Sequence, residues 1–442
     1  MQQTNRRAFL STTGSAFAAL VTSGCMARSG SFVSASAASS VTAPAYAPLR
    51  PDPAGLLDLA NGYSYKVIST LGEAMADGMT VPDRADGMGC FALADGKWAL
   101  VRNHELQAHN DAGGTLPIGY DSKSDGSILP GGTTTLIVDP ATLTVEQEYR
   151  SLAGTIRNCA GGITPWGSWL SCEENVTRAG DGVGQDHGWV FEVPAAAKTM
   201  AKPVPLKAMG RFNHEAAAVD PATGIVYLTE DRDDGLLYRF LPSVLGDLKQ
   251  GGKLQALAIG DVADTRNWGR QGLAVGNPQS VRWIDLDNVE SPEDDLRKRG
   301  ALKGATLFAR GEGIHMGRGE LYFCCTSGGA AKLGQIFRLT PSRGDADSLE
   351  LFFESTSPDQ FNYGDNLTVG PNGHLIVCED QYTDVVDNHL RAITPDGTAY
   401  ALGRLKLQTE LAGACFSPDG KVLFVNAYSP TKTFAITGPW MG

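Results

Sequence analysis

Charge is scarce in this 442-residue chain, at 19% of residues, and within it 49 Asp and Glu outnumber 37 Lys and Arg. No basic run interleaved with aromatics occurs, so no nucleic-acid partner is expected. After the first 25 residues no apolar stretch reaches the ~18 residues of a spanning helix, so no membrane span is expected. C-x-x-C, G-x-S-x-G and H-E-x-x-H spacings are all missing, which argues against a redox or zinc pair, a serine-hydrolase elbow and a zinc protease. Long apolar stripes of 3.6-residue period are missing too, leaving the stretch from Pro292 to Arg299 as the best candidate for a short surface helix. What is plentiful is glycine, 53 residues, within a chain that is 42% hydrophobic. That balance suits a core-forming protein rich in tight turns.

The N-terminus reads as an address. Arg6 and Arg7 precede Phe9-Leu10 and a mildly apolar Gly/Ala/Ser/Thr run to about Val21, the pattern of a twin-arginine export signal. Residues 1–37 are expected to be that signal, with cleavage after Ala35-Ser36-Ala37 preferred over lipidation at Cys25. Residues 38–50 are expected to be a disordered leader, and 51–442 a single domain, periplasmic or secreted and monomeric, delivered by the twin-arginine machinery.

A repeat lies in the glycines. Six times a turn ending in Gly is followed by a β-rich run and then polar residues: G-K-W-A-L-V-R-N-H-E from Gly96, G-S-W-L-S-C-E-E-N from Gly167, G-I-V-Y-L-T-E-D from Gly224, G-E-L-Y-F-C-C-T-S from Gly319, G-H-L-I-V-C-E-D from Gly373 and G-K-V-L-F-V-N-A-Y from Gly420. A short run of small and apolar residues precedes each, so every unit predicts a hairpin. Intervals of 47 to 95 residues between these glycines fit a six-bladed β-propeller with variable inter-blade insertions better than a solenoid. The fold class is therefore all-β.

Counted from each glycine, the acids Glu173-Glu174, Glu230-Asp231 and Glu379-Asp380 recur at one position, where the other units have Arg102-Asn103, Cys325-Thr326 and Asn426-Ala427. Polar residues also open the first strands: Cys159, Asn213-His214-Glu215, Glu312, and Asp365-Asn366. Antiparallel pairing should set Glu215 beside Glu230 and Asp365-Asn366 beside Glu379-Asp380, all on one rim. So many ionised carboxylates at one rim repel by several kcal/mol, so cations are expected. Acids with Asn indicate calcium, and the thiolate of Cys159 admits a transition metal. Arg310, two residues before Glu312, shares its face if the segment is extended, and would clamp an oxyanion such as phosphate.

Taken together, R-N-H-E, R-N-C-A-G-G-I-T-P-W-G-S-W-L-S-C-E-E-N, R-F-N-H-E-A, Y-L-T-E-D, R-G-E-G-I and G-D-N-L-T-V-G-P-N-G-H-L-I-V-C-E-D resemble the PhoX family of alkaline phosphatases over roughly residues 85–430. The resemblance implies a propeller holding two Fe3+ and three Ca2+ ions and a secreted phosphomonoesterase acting on small phosphate monoesters. By motif, Cys159 resembles the thiolate that ligates iron, Glu174 and Glu215 cluster carboxylates, Glu312 an iron-binding glutamate and Arg310 the arginine that holds substrate phosphate. Glu105, Glu173, Glu230, Asp231, Asp365, Asn366, Glu379 and Asp380 match metal-rich motifs. The expected mechanism is attack on phosphorus by a metal-bound oxo or hydroxide, which needs no side-chain nucleophile. Two alternatives remain: a calcium propeller that opens lactones or other esters, and a non-catalytic calcium-stabilised binding propeller.

Overall fold

The computed structural model describes residues 48–342, 346–381 and 383–441. The export signal, Cys25 and residues 38–47 of the leader lie outside the described residues. Arg50 already donates its backbone N–H to Leu59 O at 2.9 Å. Among the described residues no helix is long and apolar enough to cross a membrane.

All six predicted hairpins form. In order they are Ala85–Ala92 with Trp98–His104, Asn158–Ile163 with Ser168–Glu173, His214–Val219 with Val226–Glu230, Gly311–Met316 with Leu321–Cys325, Gly364–Val369 with Leu375–Glu379, and Leu411–Phe416 with Val422–Ala427. The six turn glycines all have positive φ, from 71° at Gly224 and Gly420 to 132° at Gly319, which explains why the turns demand glycine.

Further strands extend the hairpins outward into five hydrogen-bonded sheets of five, nine, four, four and three strands. The nine-stranded sheet joins the third and fourth hairpins, because Gln279–Asp285 pairs with Ser348–Glu354. The N-terminal part of the chain closes the arrangement: Leu57–Leu59 adds to the fifth hairpin's sheet and Ser64–Thr70 to the sixth's. The first strands of the hairpins neighbour one another in cyclic order, the sixth against the first, giving a propeller-like, all-β architecture. Both faces of the strands are covered. In the third hairpin Val226 and Leu228 pack in one core cluster and Tyr227, facing the opposite way, in the next. That two-sided burial is why the strands read as continuous apolar runs.

The small residues of the first strands are required where the strands approach. A Cβ on Gly87 would lie 2.6 Å from Ala160 Cα, and one on Gly313 2.7 Å from Asn366 Cα. The predicted surface helix is displaced: it runs Leu296–Leu302, after an Asp294 of positive φ (50°).

Candidate metal and phosphate site

Each of the six first strands is interrupted at the same place by a β-bulge. Register shifts fall between Ala85 and Met88, Asn158 and Gly161, His214 and Ala217, Gly311 and Ile314, Gly364 and Leu367, and Ala412 and Cys415. A bulge re-aims the extra residue out of the ladder. The residues so placed are Asp86, Cys159, Glu215, Glu312, Asp365 and Gly413, so five of the six bulges carry a chemically active side chain.

Neighbouring hairpins hold the bulges in shape. Asn103 Nδ2 donates to Cys159 O (3.1 Å) and Ala160 O (2.7 Å), Thr229 Oγ1 to Glu312 O (2.6 Å), and Asn426 Nδ2 to Asp86 O (2.7 Å). These buried side chains satisfy carbonyls that the bulge removes from the ladder.

A second ring surrounds the first. The residue after each second strand donates its N–H to a residue before the bulge of the same hairpin: Glu105 to Arg84 O, Glu174 to Arg157 O, Asp231 to Asn213 O, Thr326 to Arg310 O, Asp380 to Tyr363 O and Tyr428 to Glu410 O, at 2.9–3.3 Å. This bond defines equivalent positions and corrects the register read from the glycines. The counterpart of Glu174 in the first hairpin is Glu105, not Asn103, because Trp98–His104 starts one residue later after its glycine and is one residue longer than Ser168–Glu173. Arg102 is fully buried and donates to Glu148 at 2.6 Å.

The two rings converge. Ligand atoms of Glu105, Cys159 and Glu174 lie within 4.8 Å of one another, and so do those of Glu215, Glu312 and Asp365. Asp380 shares a hydrogen bond with Glu410 beside Asp365. Burial and mutual repulsion hold Glu215, Glu312, Asp86 and Asp380 well above the usual carboxylate range, and Asp365 rises to about 7. Burial and the acids Asp86, Glu215, Glu105 and Glu174 likewise push up the Cys159 thiol. Asp231 goes the other way despite burial, lowered by the Arg310 guanidinium.

Arg310 donates from Nε to Asp231 Oδ1 (2.7 Å) and from Nη2 to Asp231 Oδ2 (3.0 Å), and its Nη2 lies 2.9 Å from Glu312 Oε1. It reaches Glu312 through a left-handed turn (φ 52°) rather than the extended segment expected from sequence. Arg157 pairs with Glu105 (2.6 Å) and Glu174 in the other half of the site.

Of the predicted site residues the structure brings together Cys159, Glu105, Glu174, Glu215, Asp231, Arg310, Glu312, Asp365, Asn366 and Asp380. It does not bring in Glu173, Glu230 or Glu379. Each is fully buried and turned to protein partners: Glu173 to His187 Nδ1 (2.7 Å) and the N–H groups of Ile156 and Gly188, Glu230 to Tyr238 OH (2.6 Å), Glu379 to Arg391 Nε (2.7 Å) and the N–H groups of Asn362 and His389. The expected Glu215–Glu230 contact is absent for the same reason: His214, not Glu215, stands opposite Glu230, and Glu215 bulges the other way.

Two further acids, Asp86 and Glu410, join the site although the repeat pattern does not single them out. The signal for Asp86 was its place in A-D-G-M-G, which parallels N-C-A-G-G; Glu410 had none beyond its charge. All seven cysteines among the described residues are free thiols, Cys324 and Cys325 included.

The donor set fits cations. Glu215 Oε1 and Oε2, Asp86 Oδ1, Asp365 Oδ1 and Asp380 Oδ1 are buried without a protein hydrogen-bond partner, a costly state that a bound cation relieves; the one further carboxylate oxygen in that state among the described residues, Glu230 Oε1, has the Arg297 guanidinium 3.6 Å away. Two carboxylates with a thiolate suit a transition metal, and the all-oxygen group suits a harder ion.

A family model described as Alkaline phosphatase PhoX matches residues 44–431. No curated protein matches the sequence. Among solved structures, Pseudomonas fluorescens PhoX in complex with vanadate, a transition state analogue, is similar at TM-score 0.68 and 19% identity, over 89% of this chain and 97% of that one. The gluconolactonase XC5397 from Xanthomonas campestris aligns at TM-score 0.38 and 14% identity, over 89% of this chain and 98% of that one. A Dyadobacter fermentans protein of unknown function aligns at 0.45 and 10%, over 86% and 100%. Neither of the last two is similar enough to bear on the site.

Proposed function

The chain belongs to the PhoX family of alkaline phosphatases, and from that premise we propose that it hydrolyses phosphate monoesters at the double ring of acids around Cys159 and Arg310. The observation that carries this reading is the set of buried carboxylate oxygens without protein partners, converging beside a guanidinium that is 35% exposed. That the related Pseudomonas fluorescens PhoX binds vanadate, a transition state analogue, supports it.

Glu105, Cys159 and Glu174 would hold a transition metal, for which we favour iron. Glu215, Glu312, Asp365, Asp86, Asp380 and Glu410 would hold further iron and calcium, two Fe3+ and three Ca2+ in all. Bound there, such ions supply positive charge for phosphate and lower the pKa of water. The chain's own contribution is geometric. Arg310 spends Nε and Nη2 on Asp231 and Glu312, so the two N–H groups of Nη1 remain to bind a phosphate oxygen. Its salt bridges fix the guanidinium plane before substrate arrives, which lowers the entropy cost of orientation. The buried acids supply no positive charge of their own, so an anionic ester is retained only while cations are in place. No serine, threonine or histidine is needed as nucleophile.

We infer one catalytic domain with each hairpin as a blade, six in all; the six bulges and six equivalent backbone bonds support that count. Export by the twin-arginine route to the periplasm or beyond, and a monomeric state, belong to the same proposal. The test is release of inorganic phosphate from an aryl phosphate by the exported full chain, with vanadate as competitor. Vanadate-sensitive release supports the reading; no release in the presence of iron and calcium contradicts it.

A further inference from the structure

Arg157 and Arg310 occupy one position in two hairpins. Both have left-handed backbone, φ 51° and 52°, both stand two residues before a bulged side chain, Cys159 and Glu312, and both accept the equivalent backbone bond, from Glu174 N and Thr326 N. Each reaches across the seam to the outer-ring acid of the preceding hairpin, Arg157 Nε to Glu105 Oε1 at 2.6 Å and Arg310 Nε to Asp231 Oδ1 at 2.7 Å. Arg84 and Tyr363 hold the same position in the first and fifth hairpins with the same backbone, φ 58° and 55°, so the left-handed turn belongs to the bulge and what sets Arg157 and Arg310 apart is what their side chains hold.

The two differ in what they leave available. Arg310 engages Nε and Nη2. Arg157 engages all three nitrogens: Nε on Glu105, Nη1 on Glu174 O (3.2 Å), and Nη2 on the Glu174 carboxylate. The two carboxylates are gripped from their other sides as well, Glu174 Oε1 by Asn213 Nδ2 (2.8 Å) and Glu105 Oε2 by the Tyr428 hydroxyl. Glu105 and Glu174 are two of the three groups gathered around Cys159. One rigid guanidinium that bridges two carboxylates fixes them relative to each other as a single lysine ammonium cannot.

Resting on the metallophosphatase reading, we propose that Arg157 is a positioning residue: it holds Glu105 and Glu174 beside Cys159 so that the three together take one cation, and it does not contact the phosphate ester. It acts through the ligands, as outer partners of metal sites do.

The experiment compares Arg157→Gln and Arg157→Lys with wild type in the full exported chain, reading metal per chain, kcat and KM on an aryl phosphate, and thermal midpoint. Arg157→Gln should lose metal and about 10–100-fold in kcat, with KM within about twofold of wild type. Arg157→Lys should recover part of the metal, since one ammonium can hold one of the two carboxylates. A KM raised about tenfold or more at full metal content and unchanged kcat would make Arg157 a substrate contact and overturn the proposal. So would unchanged metal content in both variants. If Arg157→Gln does not yield folded protein, Arg157→Lys carries the test by the same readings. Should wild type release no phosphate at all, the functional reading fails, yet metal loss in the variants still upholds the role of Arg157.

Discussion

Gly413 and Asp86 meet where the ring of first strands closes: a Cβ on Gly413 would lie 2.2 Å from the Asp86 carbonyl oxygen. Gly413 has φ 66° and is the sixth bulge residue, the one with no side chain to offer. That carbonyl also accepts from Asn426 Nδ2 at 2.7 Å. Gly413→Ala should therefore push Asp86 out of place and cost about 1–3 kcal/mol of stability through backbone strain alone, visible as a lower thermal midpoint together with lower metal content. An unchanged midpoint would show that the seam has slack.

The adjacent acids Glu173 and Glu174 should behave as opposites. Glu173 binds His187 and backbone N–H groups deep in its sheet, so Glu173→Gln should cost roughly 3–5 kcal/mol, the penalty for breaking a buried pair, while the protein that remains folded keeps its metal. Glu174 pairs with Arg157 and Asn213, but burial and the charges of Asp231 and Glu105 outweigh that pairing and disfavour its anion, so Glu174→Gln should cost the metal-free protein less than Glu173→Gln does and should lower the metal content. Calorimetry with and without chelator, alongside elemental analysis, separates them; the reverse pattern would contradict the assignment.

Arg310→Lys keeps a positive charge but loses the fork that binds Asp231 and leaves Nη1 for phosphate. KM for an aryl phosphate should rise at least about tenfold, the cost of roughly one charge-assisted hydrogen bond, with metal content retained. Steady-state kinetics on the metal-loaded variant checks it, and an unchanged KM would remove Arg310 from substrate binding.

His187 should give a pH signature. Burial alone lowers its pKa, but the charges of Glu173 and Asp121, at 2.7 and 3.2 Å, outweigh burial and raise it above 6.5. A base whose folded pKa is raised stabilises the fold fully below its unfolded value and loses that contribution as pH climbs through the folded value. The midpoint difference between wild type and His187→Gln should thus be largest below pH ~6.5 and shrink on the alkaline side. Thermal scans across that range test it; a difference that grows with pH would reverse the sign.

The turns and hairpins were legible because each turn needs a left-handed glycine, and Gly96, Gly167, Gly224, Gly319, Gly373 and Gly420 all meet that need. The bulges were not, since they arise from hydrogen-bond register and leave no fixed spacing. Asp86 therefore went unnoticed in A-D-G-M-G, whereas Glu105 was misaligned with Asn103 because its second strand starts later after the glycine and runs longer than Ser168–Glu173. Glu173, Glu230 and Glu379 illustrate a different error. Consecutive residues at a strand end point to opposite faces, so both members of each acidic pair could never reach one rim. Arg310 was identified correctly as a neighbour of Glu312, although the backbone between them is left-handed rather than extended.

The most direct test is elemental analysis of the protein exported by its own route, run beside phosphate release with and without chelator. Iron and calcium together, with release abolished by chelator, is the predicted result. Calcium alone, with no phosphate released, would contradict the metallophosphatase account.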